Sequence, residues 1–391
     1  MRLSDFVEGG VSTGTMQPVS QGLHAFIPNP LPPNWEMPNE FWPLLRDAWA
    51  TIRELNGIGH VLPDPSILLK PIEDREAIQS SRIEGTFATA RELLLFEIQP
   101  HSSSSSSESP EKNTWREVWN YRQALMHGVK SDLPLSKRLI RELHSVLLTD
   151  VRGEDTSPGE FRKLQVGIRG DRANPQFVPP PPLSVDACLN DLERYIQSPG
   201  DNIDPLIQCF LVHYQFESIH PFRDGNGRVG RLLLAIMIMQ KCDLTHPWLF
   251  VSQYFEAHKD QYFDLLYNVS RVGDWSGWVK FFLEATVWQA KDTLERCKRL
   301  LKAKDDLKGR LATVKGSNKL IPIVDLALEK MLINVNDAAT KFGITYPTAL
   351  KQLESLVKIG VLRALTDFAP KTFYAPDLFS ITYRDLGGFD D

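Results

Sequence analysis

Cysteine is scarce in this chain. The four in 391 residues, Cys188, Cys209, Cys242 and Cys297, form no CxxC pair and no Cys/His cluster at zinc spacing. That excludes a disulfide framework and a zinc site, and leaves four buried thiols in a reducing compartment. Long apolar runs are missing too: LLLAIMIM and the stretch around Ile321 are too short to span a bilayer. MRLSDFVEGG has no basic region followed by an apolar run, so no signal peptide is expected and the chain reads as cytoplasmic, with no membrane partner. Nor is there an excess of positive charge. A formal net charge of -5 excludes a whole-molecule electrostatic grip on nucleic acid or anionic lipid, leaving only local basic patches. What is present, 42% hydrophobic and 24% charged residues, describes a globular chain long enough for two or three domains.

Periodicity divides it. Residues 1–40 are rich in Gly, Ser, Thr and Pro, and FIPNPLPP has no helical or strand period, which predicts an extended arm draped over a core. Residues 41–127 read as an N-terminal helical domain: Leu44, Leu45, Ala48 and Ile52 share one helix face, a break follows, and a second helix starts near Arg75. The serine run HSSSSSSESP can bury nothing and reads as a surface loop. Residues 128–290 read as the main domain. Ser136 is a candidate N-cap before Leu139, Leu143, Val146 and Leu147. KLQVGI and QFVPPPP suit a small β-hairpin stopped by prolines. Residues 291–391 begin with a charged connecting helix, LERCKRLLKAKDDLKGR. Then Asn336 caps DAATKF, Gly343 ends it, a helix runs from Tyr346 to Lys358, and strands follow at VLRAL and TFYAP. Helix, turn, helix and ribbon is the outline of a winged helix. The fold class is mainly α, with a small hairpin and a C-terminal α+β module.

The chemistry concentrates between Gln215 and Met239. An amphipathic helix ending near Ile219 and a helix apolar on nearly every side from Val229 flank the loop HPFRDGNG, so the loop stands on a rigid base. Gly225 and Gly227 around Asn226, opening a helix, let backbone N–H groups converge on an anion where the helix dipole adds to them. Arg228 and Arg231, three apart, rise from one face and can clamp further phosphate oxygens. Asp224 can hold a magnesium ion bridging phosphates, and His220 can serve as general base on an incoming hydroxyl. Each feature alone is ordinary; base, carboxylate, nest and double clamp within twelve residues are not.

HPFRDGNGRVGR is similar, at every fixed position, to the active-site motif of Fic-domain proteins. The resemblance extends to PGEFRKLQVGI with FVPPPP, like the family's flap, and to SKRLIRELHSVLL before it, covering most of the chain from about Phe26 to Ala290. It implies a Fic helical-bundle core with a hairpin flap, often followed in bacterial members by a winged helix. It also implies a protein adenylyltransferase: His220 deprotonates a Ser, Thr or Tyr hydroxyl of a target protein or of this chain itself, and AMP is transferred from ATP. Asp224 binds Mg2+. Gly225, Asn226 and Gly227 form the anion hole, and Arg228 and Arg231 hold the outer phosphates. Phe222 anchors the loop, Gln253 and Tyr254 line the adenine pocket, and flap residues Gln176, Phe177 and Val178 dock the target by strand addition.

SSRIEGT resembles the inhibitory helix of Fic proteins whose brake precedes the catalytic domain. Ser80 and Glu84 share a helix face and Gly85 is a natural stop. The resemblance implies that Glu84 pairs with Arg231, blocks productive ATP binding, and allows a reverse reaction that removes AMP; it also implies a homodimer. The alternatives are a Fic-fold phosphotransferase, a dead nucleotide-binding scaffold, and a DNA-binding regulator or toxin-like module. For the last, TYPTALKQLESLVK offers only Lys351 and Lys358 as cations for duplex DNA.

Overall fold

The computed structural model describes residues 6, 13–19, 22–61, 64–99, 110–151, 157–170, 175–198, 203–312, 317–366, 368–387 and 389. The serine run 101–109 and the flap tip 171–174 lie outside them. The N-terminal segment is a hairpin, not a lone extended arm. Strands β1 (Gly14–Pro18) and β2 (His24–Pro28) pair antiparallel, because Ala25 and Phe26 bury against Phe177 and Val178. A hydrogen bond from Phe26 N–H to the Val178 carbonyl, 2.8 Å, joins the two hairpins.

Helix α1 (Trp42–Val61) buries Leu45, Ala48, Ile52 and Leu55 at helical spacing. Helix α2 spans Ser66–Ile83, so it begins well before Arg75. Pro71 removes one backbone donor without ending it, since Leu68, Ile72 and Ile78 pack into the core and packing outweighs one lost bond. Helix α3 (Ala90–Ile98) opens on a Thr89/Glu92 capping box. Helix α4 (Pro110–Lys130) follows, then α5 (Lys137–Leu147), where the Ser136 hydroxyl accepts from Leu139 N–H as expected.

The flap strands β3 (Ile168–Gly170) and β4 (Pro175–Phe177) are antiparallel and lead into α6 (Pro182–Gln197). Next come α7 (Pro205–Ile219) and α8 (Asn226–Lys241). Helix α7 is not amphipathic: every residue from Leu206 to Ile219 is buried. It is the central helix together with α8, packed between α6 and α11 (Trp275–Ala312), while α8 leans on α4 and α5. Two short helices, α9 (Ser252–Ala257) and α10 (Lys259–Val272), intervene. No helix among the described residues is long and apolar enough to cross a membrane, and all four cysteines are buried without a disulfide.

The expected domain borders fall inside helices: 127/128 inside α4 and 290/291 inside the 38-residue α11. Beyond α11 lie α12 (Ile321–Lys330), β5 (Leu332–Asn334), α13 (Val335–Phe342), α14 (Tyr346–Lys358), β6 (Arg363–Ala364), β7 (Thr372–Tyr374) and α15 (Pro376–Tyr383). The sheet order is β5-β7-β6. The cap of α13 is Asn334, not Asn336. Asn334 and Asp337 form a reciprocal capping box, and Asn336 lies within the first turn. Helices α12 and α15 pack on α2, so this C-terminal module is continuous with the rest of the core.

Candidate active site

The loop between α7 and α8 owes its shape to two backbone choices and one side chain. His220 ends α7 in the left-handed region, φ 50°, unusual for a residue with a Cβ and a mark of a functional turn. Gly225, φ 75°, starts α8. Between them Asn226, buried, closes the loop on itself: its Oδ1 accepts from Phe222 N–H at 2.7 Å and its Nδ2 donates to the Phe222 carbonyl at 2.9 Å. The Asn226 side chain is thus a loop lock. Its backbone N–H, with those of Gly227 and Arg228, still opens a helix whose first internal bond is Val229 N–H to Gly225 O.

His220 Nδ1 lies 3.3 Å from the Glu217 carbonyl. A carbonyl only accepts, so Nδ1 carries the proton and Nε2 is the basic nitrogen. Burial, then the Arg162 guanidinium, pushes the imidazole down to about 4, leaving it neutral at pH 7. Phe222 is fully buried. His144 stacks on it with centroids 3.7 Å apart and planes at 4°. His144 Nδ1 accepts from Gly159 N–H at 2.8 Å, which leaves Nε2–H to donate to the Asp224 carbonyl at 3.1 Å. Burial pushes this histidine down to about 4 as well, so that tautomer holds. The Asp224 carboxylate is exposed, with Oδ1 accepting from Gly225 N–H at 2.7 Å. Arg162 binds the flap root to the loop. It donates to the carbonyls of His220 (2.8 Å), Ile219 and Pro180, and its own N–H donates to the Pro221 carbonyl.

Both clamp arginines are already engaged. Arg231, 2% exposed, donates through Nε to Ser80 Oγ at 2.7 Å, and through Nη2 to the Ser80 carbonyl at 2.9 Å and Glu84 Oε1 at 2.8 Å. Arg228 donates to Glu117 Oε2 at 2.9 Å, and that oxygen also accepts from the Thr86 hydroxyl. Burial alone would raise the Glu84 carboxyl; Arg231, aided by Arg228 and His220, holds it below its ordinary value and therefore ionised. Gly85, φ 86°, ends the helix just after it. A Cβ on Gly227 would stand 2.1 Å from Glu84 Oε1, so the Glu84 carboxylate lies directly on the cradle.

The other expected residues lie as follows. Gln253 Oε1 accepts from Arg75 Nη2 at 2.8 Å, in a polar pocket with Glu76 and Gln79 on α2. Tyr254 stacks on His258. Of the three expected flap residues, Gln176 faces outward. Phe177 and Val178 are buried beneath β2, since alternate strand residues point to opposite faces.

Sequence reasoning also missed groups that only the fold brings here: Glu117, His144, Arg162 and Glu217. Glu217 is buried. Burial, with the like charge of Glu84 added and Arg231 opposing, pushes its carboxyl up to about 8, and its Oε1 has no hydrogen-bond partner among the described residues. It borders a mostly apolar, half-open pocket between the flap and α10, walled by Ile168, Phe177, Phe263, Leu266 and Tyr267.

Comparisons with known proteins converge on this region. The family described as Fic/DOC family N-terminal matches residues 42–130, and the Fic/DOC family matches residues 134–238. A protein adenylyltransferase Fic of Drosophila yakuba is 28% identical over 187 residues, 46% of this chain and 35% of that one. Its namesake in Aedes aegypti is 31% identical over 148 residues, 38% and 27% of the two chains. The match thus spans about a third, or less, of these relatives' length. Among solved structures, a Fic family protein from Desulfovibrio desulfuricans G20 superposes with TM-score 0.53 at 20% identity, covering 87% of this chain and 98% of that one. Fic-1 from C. elegans does so with TM-score 0.50 at 21% identity, covering 66% and 74%. At such identities the likeness speaks for the fold. The tandem family matches enclose α2 with Glu84 and run on through the His220–Arg231 loop, and the chain belongs to the Fic/DOC family.

Proposed function

We propose that this chain transfers AMP from ATP to a Ser, Thr or Tyr hydroxyl of a protein, and that Glu84 restrains it. The observation that carries the reading is the loop from His220 to Arg231: a neutral imidazole, a nest of helix-opening N–H groups and two buried guanidiniums on one short path. The relatives named protein adenylyltransferase Fic support it. His220 Nε2 takes the proton of the target hydroxyl. The oxygen attacks the α-phosphorus, the bond to the β-phosphate bridging oxygen breaks, and pyrophosphate leaves. The N–H groups of Asn226, Gly227 and Arg228 stabilise the charged phosphate. Arg228 and Arg231 take the outer phosphates once Glu117 and Glu84 give way. The apolar cavity beside the flap receives the nucleoside.

No cluster of three or more metal-binding side chains occurs among the described residues, but one exposed carboxylate beside a phosphate nest suits Mg2+, which is bound through one or two carboxylates plus substrate phosphates. Asp224 would hold it, and the ion would neutralise phosphate charge. The helix pair α13 and α14 with the β6–β7 ribbon is read as a winged helix serving as a docking module. The cations its outer helix exposes are Lys351 and Lys358, too little charge for duplex DNA.

Incubation with ATP labelled on the α-phosphate tests the function. Label entering protein with Glu84→Gly and lost with His220→Ala is the expected result. Label entering only from the γ-phosphate would move the assignment to phosphotransfer. If the Glu84 carboxylate also aligns a water for AMP removal, wild type should release AMP from labelled target faster than Glu84→Gly; equal rates would refute that second reading.

A further inference from the structure

The helix that carries Glu84 is tied to the far end of the chain. Arg75, five residues before Ser80 and only 6% exposed, donates to both carboxylate oxygens of Asp385 at 2.7 Å and to the Thr382 carbonyl at 2.6 Å. Beside it the fully buried Tyr383 hydroxyl donates to Asp74 Oδ2 at 2.8 Å. The same C-terminal stretch also grips the other side of the Glu84 turn. A Cβ on Gly387 would come within 2.8 Å of the Thr89 side chain, and the Arg91 guanidinium lies over the Phe389 ring, 5.5 Å from its centre. Glu84 therefore sits on a turn flanked by α2, fastened to Thr382, Tyr383 and Asp385, and by α3, whose start meets Gly387 and Phe389. The turn itself is closed by short bonds such as Thr86 N–H to the Ser81 carbonyl, and meets the site through Glu84 on Arg231 and the Thr86 hydroxyl on Glu117.

We propose that Tyr383, Asp385 and Gly387 are positioning residues for Glu84: they hold α2 and α3 in the register that keeps its carboxylate on Arg231. This rests on the reading of Glu84 as a brake. A bidentate arginine–carboxylate pair is orientation-specific as well as strong, so it fixes the rotation of α2 and not merely its proximity. Asp385 is 43% exposed while Arg75 is buried. The link is thus open to solvent from the C-terminal side, and whatever engages that side acts on the brake without entering the active site.

The test uses the full chain with Asp385→Ala, which deletes the ion pair, and Tyr383→Phe, a milder change that deletes only a hydroxyl. Amide exchange over Ser80–Thr86 and incorporation of α-labelled AMP are both measured. Exchange there should quicken in both variants while that of α7 does not. Incorporation should rise about tenfold in Asp385→Ala, the worth of one charged hydrogen-bonded pair, and should not rise further when Asp385→Ala is added to Glu84→Gly. Unchanged exchange at Ser80–Thr86, or acceleration that spreads equally to α7, overturns the proposal. So does an Asp385→Ala effect of the same size with and without Glu84. Should Glu84→Gly itself give no rise, the brake reading fails, and the exchange result alone decides whether these residues position the turn.

Discussion

Removing the Asn226 side chain separates two roles for that residue. Its amide makes both of its bonds to the backbone of Phe222, at 2.7 and 2.9 Å, inside a site where Asn226 is 2% exposed and Phe222 0%. Asn226→Ala strands a buried N–H and a buried carbonyl, each worth about 1–3 kcal/mol when left unpaired, so the native state should lose about 2–6 kcal/mol. For a cooperative unit of 391 residues that is a fall of roughly 2–7 °C in melting temperature. Asn226→Asp keeps the acceptor for Phe222 N–H but sets a second oxygen against the carbonyl, and should lose somewhat less stability. Both variants keep the backbone N–H at the helix start. Measured in the Glu84→Gly background, AMP incorporation should nevertheless drop about a hundredfold, the usual cost of displacing a reacting group by about 1 Å, because the loop between His220 and Asp224 is no longer held. Scanning calorimetry and initial rates of incorporation check the two halves. An Asn226→Ala protein that melts and reacts like its parent would refute the loop-lock argument and return Asn226 to the role of a simple backbone donor.

Other consequences follow from the same geometry. His220→Ala should lose on the order of 10²–10⁴ in rate. With the free imidazole pushed down to about 4, the acid limb of the kcat/KM profile of Glu84→Gly should fall near pH 4, not near 6.5. Glu217 holds its proton up to about 8 in the folded state against 4.5 ordinarily. The native state then binds more protons than the unfolded chain between those values, and stability declines as pH rises through that window. Glu217→Gln cannot ionise, so it should match wild type near pH 4 and exceed it by up to a few kcal/mol above pH 8, at about 1.4 kcal/mol per pKa unit; parallel melting curves across pH would overturn this. His144→Phe keeps the stack on Phe222 and loses the bonds to Gly159 and Asp224. It should cost about 1–3 kcal/mol and weaken magnesium-dependent ATP binding by calorimetry, whereas an unaltered binding isotherm would assign His144 to packing alone.

The parts of the site that were legible in sequence are those made by neighbours in the chain. His220, Gly225, Gly227, Arg228 and Arg231 are held by one turn and the start of one helix, so their spacing carries their geometry. Ser80 and Glu84 were legible because a helix sets residues four apart on one face, and the bonds from Arg231 bear out the pairing. Partners separated by a hundred residues or more leave no local pattern. Glu117 meets Arg228 across 111 positions, and Asp385 meets Arg75 across 310. The partner of Gln253 was illegible because a polar residue on a short helix says nothing about which neighbour it will meet; it meets Arg75. The same holds for β1 and β2, whose alternation is too short to register until Phe26 finds Phe177. Helix α2 was started late because Pro71 reads as punctuation, although buried neighbours carried the helix through it.

On the proposed function, Arg231 explains why the Glu84 brake needs so little energy to operate. Its guanidinium is buried at 2% exposure, and an unpaired charge there would cost several kcal/mol. It must always have an anionic partner. In the resting arrangement that partner is Glu84, whose carboxylate also lies on Gly227; on the proposed function, a terminal phosphate takes its place. One anion then replaces another at the same guanidinium, so the large desolvation terms appear on both sides and nearly cancel. What remains is the difference between two charged hydrogen bonds plus whatever holds α2 in place. A balance so near even responds to small inputs, since each 1.4 kcal/mol is a factor of ten in population. The single ion pair between Arg75 and Asp385 lies within that range. A fold that buried Arg231 without Glu84 would lack this near-degeneracy, and its activity should then respond to ATP alone and not to changes at the C-terminal module.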